Sequence, residues 1–493
     1  MKKYMKSLKK VMVILAFGAV FSACEKYTEG VSEFDPTQPT DASLAQVVNS
    51  AEVAYIGFME GELARIAGMW SSQFTGADRQ YVTLNNYTST APDYDNAWSN
   101  IYAGALKALR IAQEKATVAN NKKALAMAQI LEAHAMMTTA SVFGDIPYSQ
   151  ANNLTEFPNP AFDKQLDVYN ATLALLNTAL SNIATAAAGT GYEGNILDGG
   201  ADDASWIAVA NTVKAKIYLH LGKYAEAAAA AAIGVTDPSM DLIAPHGTIY
   251  NADFNIYYSF MNYDRPGYLG AADALAPRLL DPSADEYRGN AKTNEEDRYN
   301  YSYITDENYT AGYEPNYYSE FDWETPDGYF GTNTGFPLVT YRENQLILAE
   351  ALLRTGGDAL SALNDYRDYL NGGGYLNPDY FTTDDSYLPY VSADFDAGQI
   401  ENPDGIPAAD ALYREIIQEK YVSLLGTIEV FNDMRRKGFG SFAGKQNWEV
   451  IGITPNTGTT IPQRFIISQA EINSNTSAPT PTPGLFEKTE VFK

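Results

Sequence analysis

The chain has 493 residues and a formal net charge of −27 at pH 7. Nucleic-acid binding requires a basic face that neutralises phosphates, so this charge argues against a nucleic-acid partner and favours a solvated acidic surface. The sequence contains one cysteine, which excludes an intrachain disulfide.

Residues 1–23 have the pattern of a secretory signal peptide. Five lysines between Lys2 and Lys10 precede an apolar run from Val11 to Phe21. This run is well short of the roughly 20 residues that a membrane-spanning helix needs. No later apolar run approaches spanning length, so the sequence predicts a secreted chain that does not cross a bilayer.

The single cysteine, Cys24, directly follows this segment. The sequence Phe21-Ser22-Ala23-Cys24 resembles the lipobox of bacterial lipoproteins, which prefers leucine where this chain has Phe21. The resemblance implies that Cys24 is acylated and anchors the mature chain to a membrane. The alternative is an ordinary cleaved signal peptide followed by a cysteine that is not lipidated. Residues 24–45 are polar and contain two prolines, which suits a lipidated N-terminal tether.

Helical periodicity, with abundant Ala and Leu, dominates the rest of the chain. It predicts helical segments at residues 42–67, 96–115, 122–143, 165–188, 204–233, 341–370 and 410–436. Residues 221–227, LGKYAEA, match the turn between the two helices of a tetratricopeptide repeat, and residues 354–359 repeat the theme. Such helix pairs must stack to bury their apolar faces. We therefore predict a mostly α scaffold of tetratricopeptide-like helical hairpins, with irregular spacing.

Residues 240–337 behave differently, because helical periodicity fades while Gly, Pro, Asn and Asp multiply. Fourteen tyrosines lie between residues 250 and 329, and this aromatic density argues against disorder. We expect a long, functional, aromatic-rich insert. No Gly/Ser-rich or Pro-rich linker divides residues 46–455, which predicts a single domain over residues 46–493. The tail from Ser477 is predicted to be an extended strap.

Four motifs resemble those of the SusD/RagB family of outer-membrane nutrient-binding lipoproteins. They are FGDIPY at residues 143–148, TYRE with AEA at residues 340–351, EKY continuing to DMRR at residues 419–436, and IPQRF with EINSN at residues 461–475. The family commonly has Tyr-Pro where this chain has Ile467-Ser468. The motifs occur in the family's order, so the resemblance implies a SusD-like fold over most of the mature chain.

These motifs are interpreted as scaffold rather than as a binding site. Gly144 can end a helix in a left-handed turn, and Pro147 prevents the helix from resuming. A second set of residues has the spacing for ion pairs within and between helices: Glu419, Glu429, Asp433, Arg435 and Arg436.

Catalytic and metal signatures are absent from the sequence. His134 and His220 lie in predicted helices, where packed imidazoles are expected, and His246 is isolated in a loop. The acidic run at residues 294–297 could offer oxygen ligands to calcium, but it lacks a known loop spacing and is interpreted as a solvated face. We predict no cofactor, no metal and no enzymatic activity. A glycosidase needs only two carboxylates, so a surface glycosidase remains an alternative.

Exposed aromatic rings that stack on sugar faces, with polar groups that take the hydroxyls, are the expected binding chemistry. In residues 70–98 the candidates are Trp70, Asp78, Arg79, Tyr81 and Tyr87, which fall in a predicted loop with no evident core to fill. From the insert we select Tyr317, Tyr318 and Trp323. Trp98 has the spacing of a helix packing stripe and is assigned to the core.

The resemblance implies a lipid-anchored protein exposed at the cell outer membrane. It would bind an oligosaccharide and deliver it to a SusC-like TonB-dependent transporter, over which it would lie as a lid. An oligopeptide is the alternative ligand, as in some family members. A purely structural tetratricopeptide adaptor is a further alternative, and it predicts that Trp70 and Tyr81 are irrelevant to small-ligand binding.

Overall fold

The computed structural model describes residues 42–305, 312–382 and 386–493, apart from the side chain of Trp323. The predicted signal peptide, Cys24 and most of the predicted tether lie outside the described residues. The α-helices are α1 Leu44–Met59, α2 Glu62–Trp70, α3 Arg79–Asn85, α4 Asp95–Ser99, α5 Lys107–Val118, α6 Lys122–Phe143, α7 Gln165–Ala184, α8 Asp203–His220, α9 Tyr224–Ala231, α10 Ile256–Tyr258, α11 Leu275–Leu280, α12 Glu296–Ser302, α13 Glu320–Trp323, α14 Tyr341–Thr355, α15 Ala359–Asn371, α16 Ala408–Ser423, α17 Ile428–Arg435, α18 Asn447–Ile451 and α19 Gln469–Ser474.

The predicted helical segments are confirmed, and glycines divide several of them into hairpins. Gly222 has φ of +68° between α8 and α9, and Gly356 has φ of +76° between α14 and α15. A positive φ suits glycine because the residue has no Cβ. The predicted helix at residues 42–67 is wrong in one respect, since it breaks at Glu60 and Gly61 into α1 and α2.

The hairpins stack side by side in a mostly α scaffold. Helix α6 packs against α5 and α7, α8 packs against α7 and α9, and α14 packs against α9, α15 and α16. Helix α1 packs on α5, and α2 packs on α17. One large cluster of buried apolar side chains extends through most of these helices and the insert, and a smaller cluster joins α8, α9 and α14. None of the helices in the described part of the chain is long and apolar enough to span a bilayer.

The described strands form two-stranded antiparallel ladders that hold the loops to the scaffold. The strands are β1 Thr75–Gly76, β2 Ile146–Pro147, β3 Phe162–Asp163, β4 Leu242–Ala244, β5 Leu269–Gly270, β6 Tyr303–Thr305, β7 Tyr313–Pro315 and β8 Phe336–Val339, and the pairs are β1–β5, β2–β3, β4–β8 and β6–β7. In the β4–β8 ladder, Leu242 lies opposite Val339 and Ala244 lies opposite Phe336. The insert therefore leaves the scaffold and returns to it at one ladder.

Three of the four motifs meet at the end of α6. Gly144 has φ of +82° and ends the helix, although its ψ of −124° is outside the left-handed helical region that was expected. The last carbonyls of an α-helix have no partner within the helix. Here Arg435 Nη2 donates to Ser141 O at 3.0 Å, Phe465 N donates to Val142 O at 2.8 Å, and Arg464 Nη2 donates to Phe143 O.

The predicted ion pairs form buried networks. Glu350 accepts from Arg436 Nη1 at 2.8 Å, and Lys420 Nζ lies 2.8 Å from a carboxylate oxygen of Asp433. Glu419 accepts from Arg298 at 2.8 Å. Glu429 lies 2.6 Å from His220 Nε2. Arg435 is the exception, because its guanidinium donates to carbonyl oxygens and to Asn432 instead of pairing with an acid.

Two further expectations need correction. Residues 294–297 do not form a solvated face: Glu295 is buried and lies 2.5 Å from Arg288 Nη1, while the buried Asp297 accepts from Thr382 N at 2.8 Å. His246 is not isolated, since its Nε2 lies 2.8 Å from Glu60 Oε2. The packed state of His134 is confirmed, with Tyr55 OH at 2.7 Å from Nδ1.

Glu52 on α1 should make stability depend on pH. The residue is 0% exposed, Oε2 accepts from Ile196 N at 2.7 Å, and Oε1 has no hydrogen-bond partner among the described residues. Burial raises the pKa of Glu52 to about 8, and the hydrogen bond from Ile196 opposes this in part. The folded state therefore holds the proton more tightly than the unfolded chain, and stability is lost as pH rises from about 4.5 towards 8.

We predict that Glu52→Gln removes this pH dependence of the free energy of unfolding. In the wild type, the dependence is at most about 1.4 kcal/mol per pH unit. The variant should equal the wild type near pH 5 and exceed it near pH 8 in thermal unfolding followed by circular dichroism. Parallel curves for the two proteins over this pH range would contradict the assignment.

Candidate functional site

Three of the sequence-predicted binding residues are buried, and the expectation that they are exposed is wrong. Trp70, Tyr81 and Tyr87 have almost no solvent-accessible surface. The sequence places them near loops, but the core that covers them is contributed by segments distant in the chain.

Trp70 lies at the centre of an aromatic cluster. Its ring centroid is 5.0 Å from that of Phe465 and 5.6 Å from that of Phe431, and its Nε1 donates to Leu84 O at 2.9 Å. The hydroxyl oxygen of Tyr87 accepts from Asn456 N at 2.9 Å. The rings of both residues are engaged by protein atoms, so neither face is free to stack on a ligand in this structure. Trp98 is also buried, as predicted.

The remaining candidates are more accessible. Asp78 and Arg79 are exposed, and Asp78 Oδ1 caps α3 by accepting from Arg79 N at 2.9 Å. The Arg79 guanidinium carbon lies 5.8 Å from the ring centroid of Tyr268. Tyr317 and Tyr318 are half-buried, with ring centroids 6.0 Å apart. Trp323 is the last residue of α13, and its side chain lies outside the described structure.

Exposed rings gather at a different part of the insert, which we call the aromatic platform. It consists of Tyr250, Phe254, Tyr258, Tyr263 and Phe321. Tyr250 is 52% exposed, Tyr263 is 37% exposed and Phe321 is 51% exposed, whereas the other two are buried beneath them. Large apolar side chains grouped at a surface mark an interaction site.

The platform rings contact one another through Phe254. Its centroid lies 5.3 Å from that of Tyr258, 5.5 Å from that of Phe321 and 5.8 Å from that of Tyr263. Tyr250 and Tyr263 lie 4.8 Å apart with an interplanar angle of 49°. The exposed rings are therefore supported from below by a buried ring that limits their movement.

A single carboxylate joins the polar edges of the platform. Asp322 accepts hydrogen bonds from the hydroxyls of Tyr258 and Tyr263, the latter at 2.9 Å, and from Asn262 Nδ2 at 3.1 Å. Burial raises the pKa of the Asp322 carboxyl. An oxygen acceptor beside exposed rings is suited to a ligand hydroxyl, which is the pairing that sugars require.

The platform is fixed to the scaffold through Glu60 at the end of α1. The buried carboxylate of Glu60 accepts from Ile256 N at 2.8 Å and lies 2.8 Å from His246 Nε2. Burial lowers the pKa of His246, but the Glu60 carboxylate raises it, and the net shift is upwards. Asn255 then starts α10 by accepting from Tyr257 N and Tyr258 N.

A cavity of about 260 Å³ adjoins the platform. It is lined by Arg65, Asn251, Ala252, Phe254, Ile256, Ser259, Phe260 and Asp264. Arg65 connects the cavity to residues 70–98. Its Nε donates to the Tyr81 hydroxyl at 2.9 Å, and its guanidinium carbon lies 4.1 Å from the Phe260 ring centroid. Residues 70–98 and the insert thus meet here through buried contacts.

The platform was missed because the sequence offers no measure of which tyrosines are covered. Tyr258 and Tyr263 lie in the tyrosine-rich insert that the sequence indicates, and Phe321 lies in α13 next to Asp322. Alternating burial within residues 250–263 arises from a short helix followed by a π-helical turn, Ser259–Asp264, which has no simple periodic signature. Within the described residues, no group of three or more His, Cys, Asp or Glu side chains could hold a metal ion.

Comparison with known proteins places the chain in a family. A family model described as "Starch-binding associating with outer membrane" matches residues 36–466. The chain belongs to the SusD/RagB family. Family members are binding proteins rather than enzymes and are associated with the outer membrane. None of the curated proteins compared with the chain matches it.

Solved structures share the SusD-like fold at low sequence identity. A SusD/RagB family protein from Bacteroides thetaiotaomicron is 20% identical with a TM-score of 0.63, covering 89% of this chain and 95% of its own. A SusD homologue from Bacteroides fragilis is 18% identical with a TM-score of 0.60, covering 92% and 100%. A chitin-binding SusD homologue from Flavobacterium johnsoniae is 15% identical with a TM-score of 0.60, covering 90% and 98%.

Removing the negative charge of Glu60 should loosen residues 246–264, which contain four of the five platform rings. We predict that Glu60→Gln accelerates amide hydrogen exchange of residues 246–264 by about tenfold or more, because hydrogen bonds to a charged acceptor are stronger than those to a neutral one. Exchange within α6 should not change. Glu114→Gln, at an exposed acid of α5, is the matched control. Equal exchange of residues 246–264 in the two variants would show that Glu60 does not hold this segment.

Proposed function

We propose that this SusD-family protein captures an oligosaccharide on the aromatic platform and passes it to a SusC-like TonB-dependent transporter. The observation that carries the proposal is the group of three exposed rings, Tyr250, Tyr263 and Phe321, bordered by the acceptor Asp322. Rings present flat apolar faces to sugar rings, and the carboxylate takes a hydroxyl. A fold relative that is described as chitin-binding is in keeping with this ligand class.

Capture is an equilibrium process in which no bond is broken. Each aromatic contact contributes about 1 kcal/mol beyond its buried area. Three such contacts total about 3 kcal/mol, so together with the apolar area buried at the rings, and after the costs of ordering are subtracted, we expect affinity in the millimolar range. This range suits a protein that must release its ligand to a transporter.

The binding residues predicted from the sequence differ in whether a ligand could reach them. Asp78, Arg79, Tyr317 and Tyr318 have accessible surface and are retained as candidate ligand contacts, together with Trp323 next to Asp322. Trp70, Tyr81 and Tyr87 would act only by supporting the surrounding loops, since their rings are covered by protein. The platform residues take their place as the expected stacking partners.

The location is proposed from the N-terminal sequence. A lysine-rich start, an apolar run and Ser22-Ala23-Cys24 support a signal peptide followed by a lipidated cysteine. With residues 24–45 as a tether and residues 46–493 as a single binding domain, the protein would sit at the outer-membrane surface and cover its transporter as a lid.

The platform is tested by removing one exposed ring at a time. We predict that Tyr263→Ala and Phe321→Ala each weaken oligosaccharide binding about fivefold, the loss expected for one aromatic contact of about 1 kcal/mol. Phe486→Ala is the matched control, since Phe486 is 49% exposed and contacts Tyr87 rather than the platform. Calorimetry against a panel of oligosaccharides and peptides measures the effect.

The panel separates the alternatives. Binding of peptides and of no oligosaccharide would show that the ligand is an oligopeptide. New reducing ends during incubation with the oligosaccharides would identify a glycosidase. Unchanged sugar binding in both platform variants would contradict the assignment of the platform.

Lipidation is tested at the only cysteine. We predict that wild-type protein expressed in a Gram-negative host incorporates labelled palmitate and sediments with membranes, whereas Cys24→Ser does neither, because no other thiol can be acylated. Ser32→Ala is the control in the same tether. Palmitate incorporation by Cys24→Ser would contradict the proposed anchor.

A further inference from the structure

The carboxylate of Asp322 is held in a fixed place at the edge of the platform. It accepts hydrogen bonds from the hydroxyl of Tyr263 at 2.9 Å, from the hydroxyl of Tyr258 and from Asn262 Nδ2 at 3.1 Å. Asp322 also directly follows the exposed Phe321 in α13. Two of the three exposed rings therefore lie beside this carboxylate, one joined to it by a hydrogen bond and the other by the chain.

The described residues provide no cation that neutralises this carboxylate. Burial raises the pKa of Asp322 without an opposing contribution from a neighbouring arginine or lysine. Glu320 and Glu324 lie on either side of it in the chain, and both are exposed, so they add charge of the same sign. Arg265 is an exposed cation at the end of the π-helical turn, but it directly follows the exposed Asp264, which balances its charge. The polar edge of the platform is therefore negative overall.

A negative charge on the ligand would be repelled at this edge, whereas a hydroxyl would donate a hydrogen bond to it. Two like charges about 7 Å apart at a protein surface oppose each other enough to lower affinity about tenfold. Every ring of a uronic acid oligomer carries a carboxylate. Such a ligand therefore brings a like charge to the edge in whichever register it stacks on the exposed rings.

We propose that Asp322 makes the platform selective for uncharged oligosaccharides and excludes glycans rich in uronic acid, an inference that rests on the proposed capture of an oligosaccharide by the platform. The exposed rings accept any sugar that has a flat apolar face. The carboxylate accepts a hydrogen bond from a sugar hydroxyl and repels a sugar carboxylate. Asp322 is thus the specificity-determining residue, while the rings supply general affinity.

Two ligands that differ in charge test this selectivity. The β-1,4-linked tetramers of glucose and of glucuronic acid share a backbone and differ at C6, which is a hydroxymethyl group in one and a carboxylate in the other. We predict that wild-type protein near pH 8, where carboxylates are ionised, binds the glucose tetramer about tenfold more tightly in calorimetry. A chelator is included so that no divalent cation bridges two carboxylates. The preference should shrink as salt is added, because salt screens the repulsion.

Three variants locate the preference at Asp322. Asp322→Asn keeps an acceptor oxygen without the charge, so it should weaken binding of the glucose tetramer and reduce the ratio of the two affinities to about twofold. Asp322→Glu keeps the charge and should retain the preference. Glu114→Gln is the matched control, since it removes one negative charge at an exposed site on α5 and should leave the ratio unchanged. Circular dichroism confirms that each variant is folded.

The outcomes separate this inference from the proposed function. Equal affinity of wild-type protein for the two tetramers, with both weakened by Phe321→Ala, would overturn the charge selectivity and leave platform binding intact. Equal ratios in Asp322→Asn and Glu114→Gln would overturn the role of Asp322 in the same way. Absence of binding to every glycan would overturn both the inference and the proposed function.

Discussion

The end of helix α6 is the constraint on which the rest of the structure depends. Its last three carbonyls lie inside the protein, where water cannot satisfy them, and each must find a donor. The donors are Arg435, Arg464 and the backbone N–H of Phe465, which follow about 300 residues later in the chain. Burial lowers the pKa of Arg435 to about 9 and that of Arg464 to about 10. The carbonyls help to compensate this desolvation, so these contacts hold the end of α6 against residues 435–465.

A buried polar group that needs donors also attaches the aromatic platform to the scaffold. Glu60 is a buried carboxylate that requires donors, and it receives them from His246 and from the backbone of Ile256 at the start of the platform segment. Leaving this charge without its partners would cost about 3–5 kcal/mol, which ties the position of the insert to the end of α1. The β4–β8 ladder fixes both ends of the insert. A long segment with little regular structure thereby presents its rings at a defined place.

Fixed placement of the rings supports the binding role that we propose for the platform. Phe254 and Tyr258 are buried and hold Tyr263 and Phe321 at the surface, so little side-chain entropy is lost when a ligand stacks on them. Asp322 orients two of the phenols and leaves an acceptor at their edge. In the proposed function, affinity comes from stacking of the ligand on the platform.

The sequence by itself determined the helical hairpins, the motif glycines and the family, because these follow from periodicity and short-range spacing. Gly222, Gly356 and the helix-ending Gly144 are examples, as is the ion pair between Asp433 and Arg436 at i,i+3 spacing. Only the tertiary structure decided which aromatic rings face solvent. Trp70 and Tyr87 resemble exposed loop residues in the sequence, but Phe465 and Asn456, which lie almost 400 residues later, cover them. Tyr263 remains exposed because none of the described residues covers its ring. Burial is a property of distant contacts, and local sequence does not encode it.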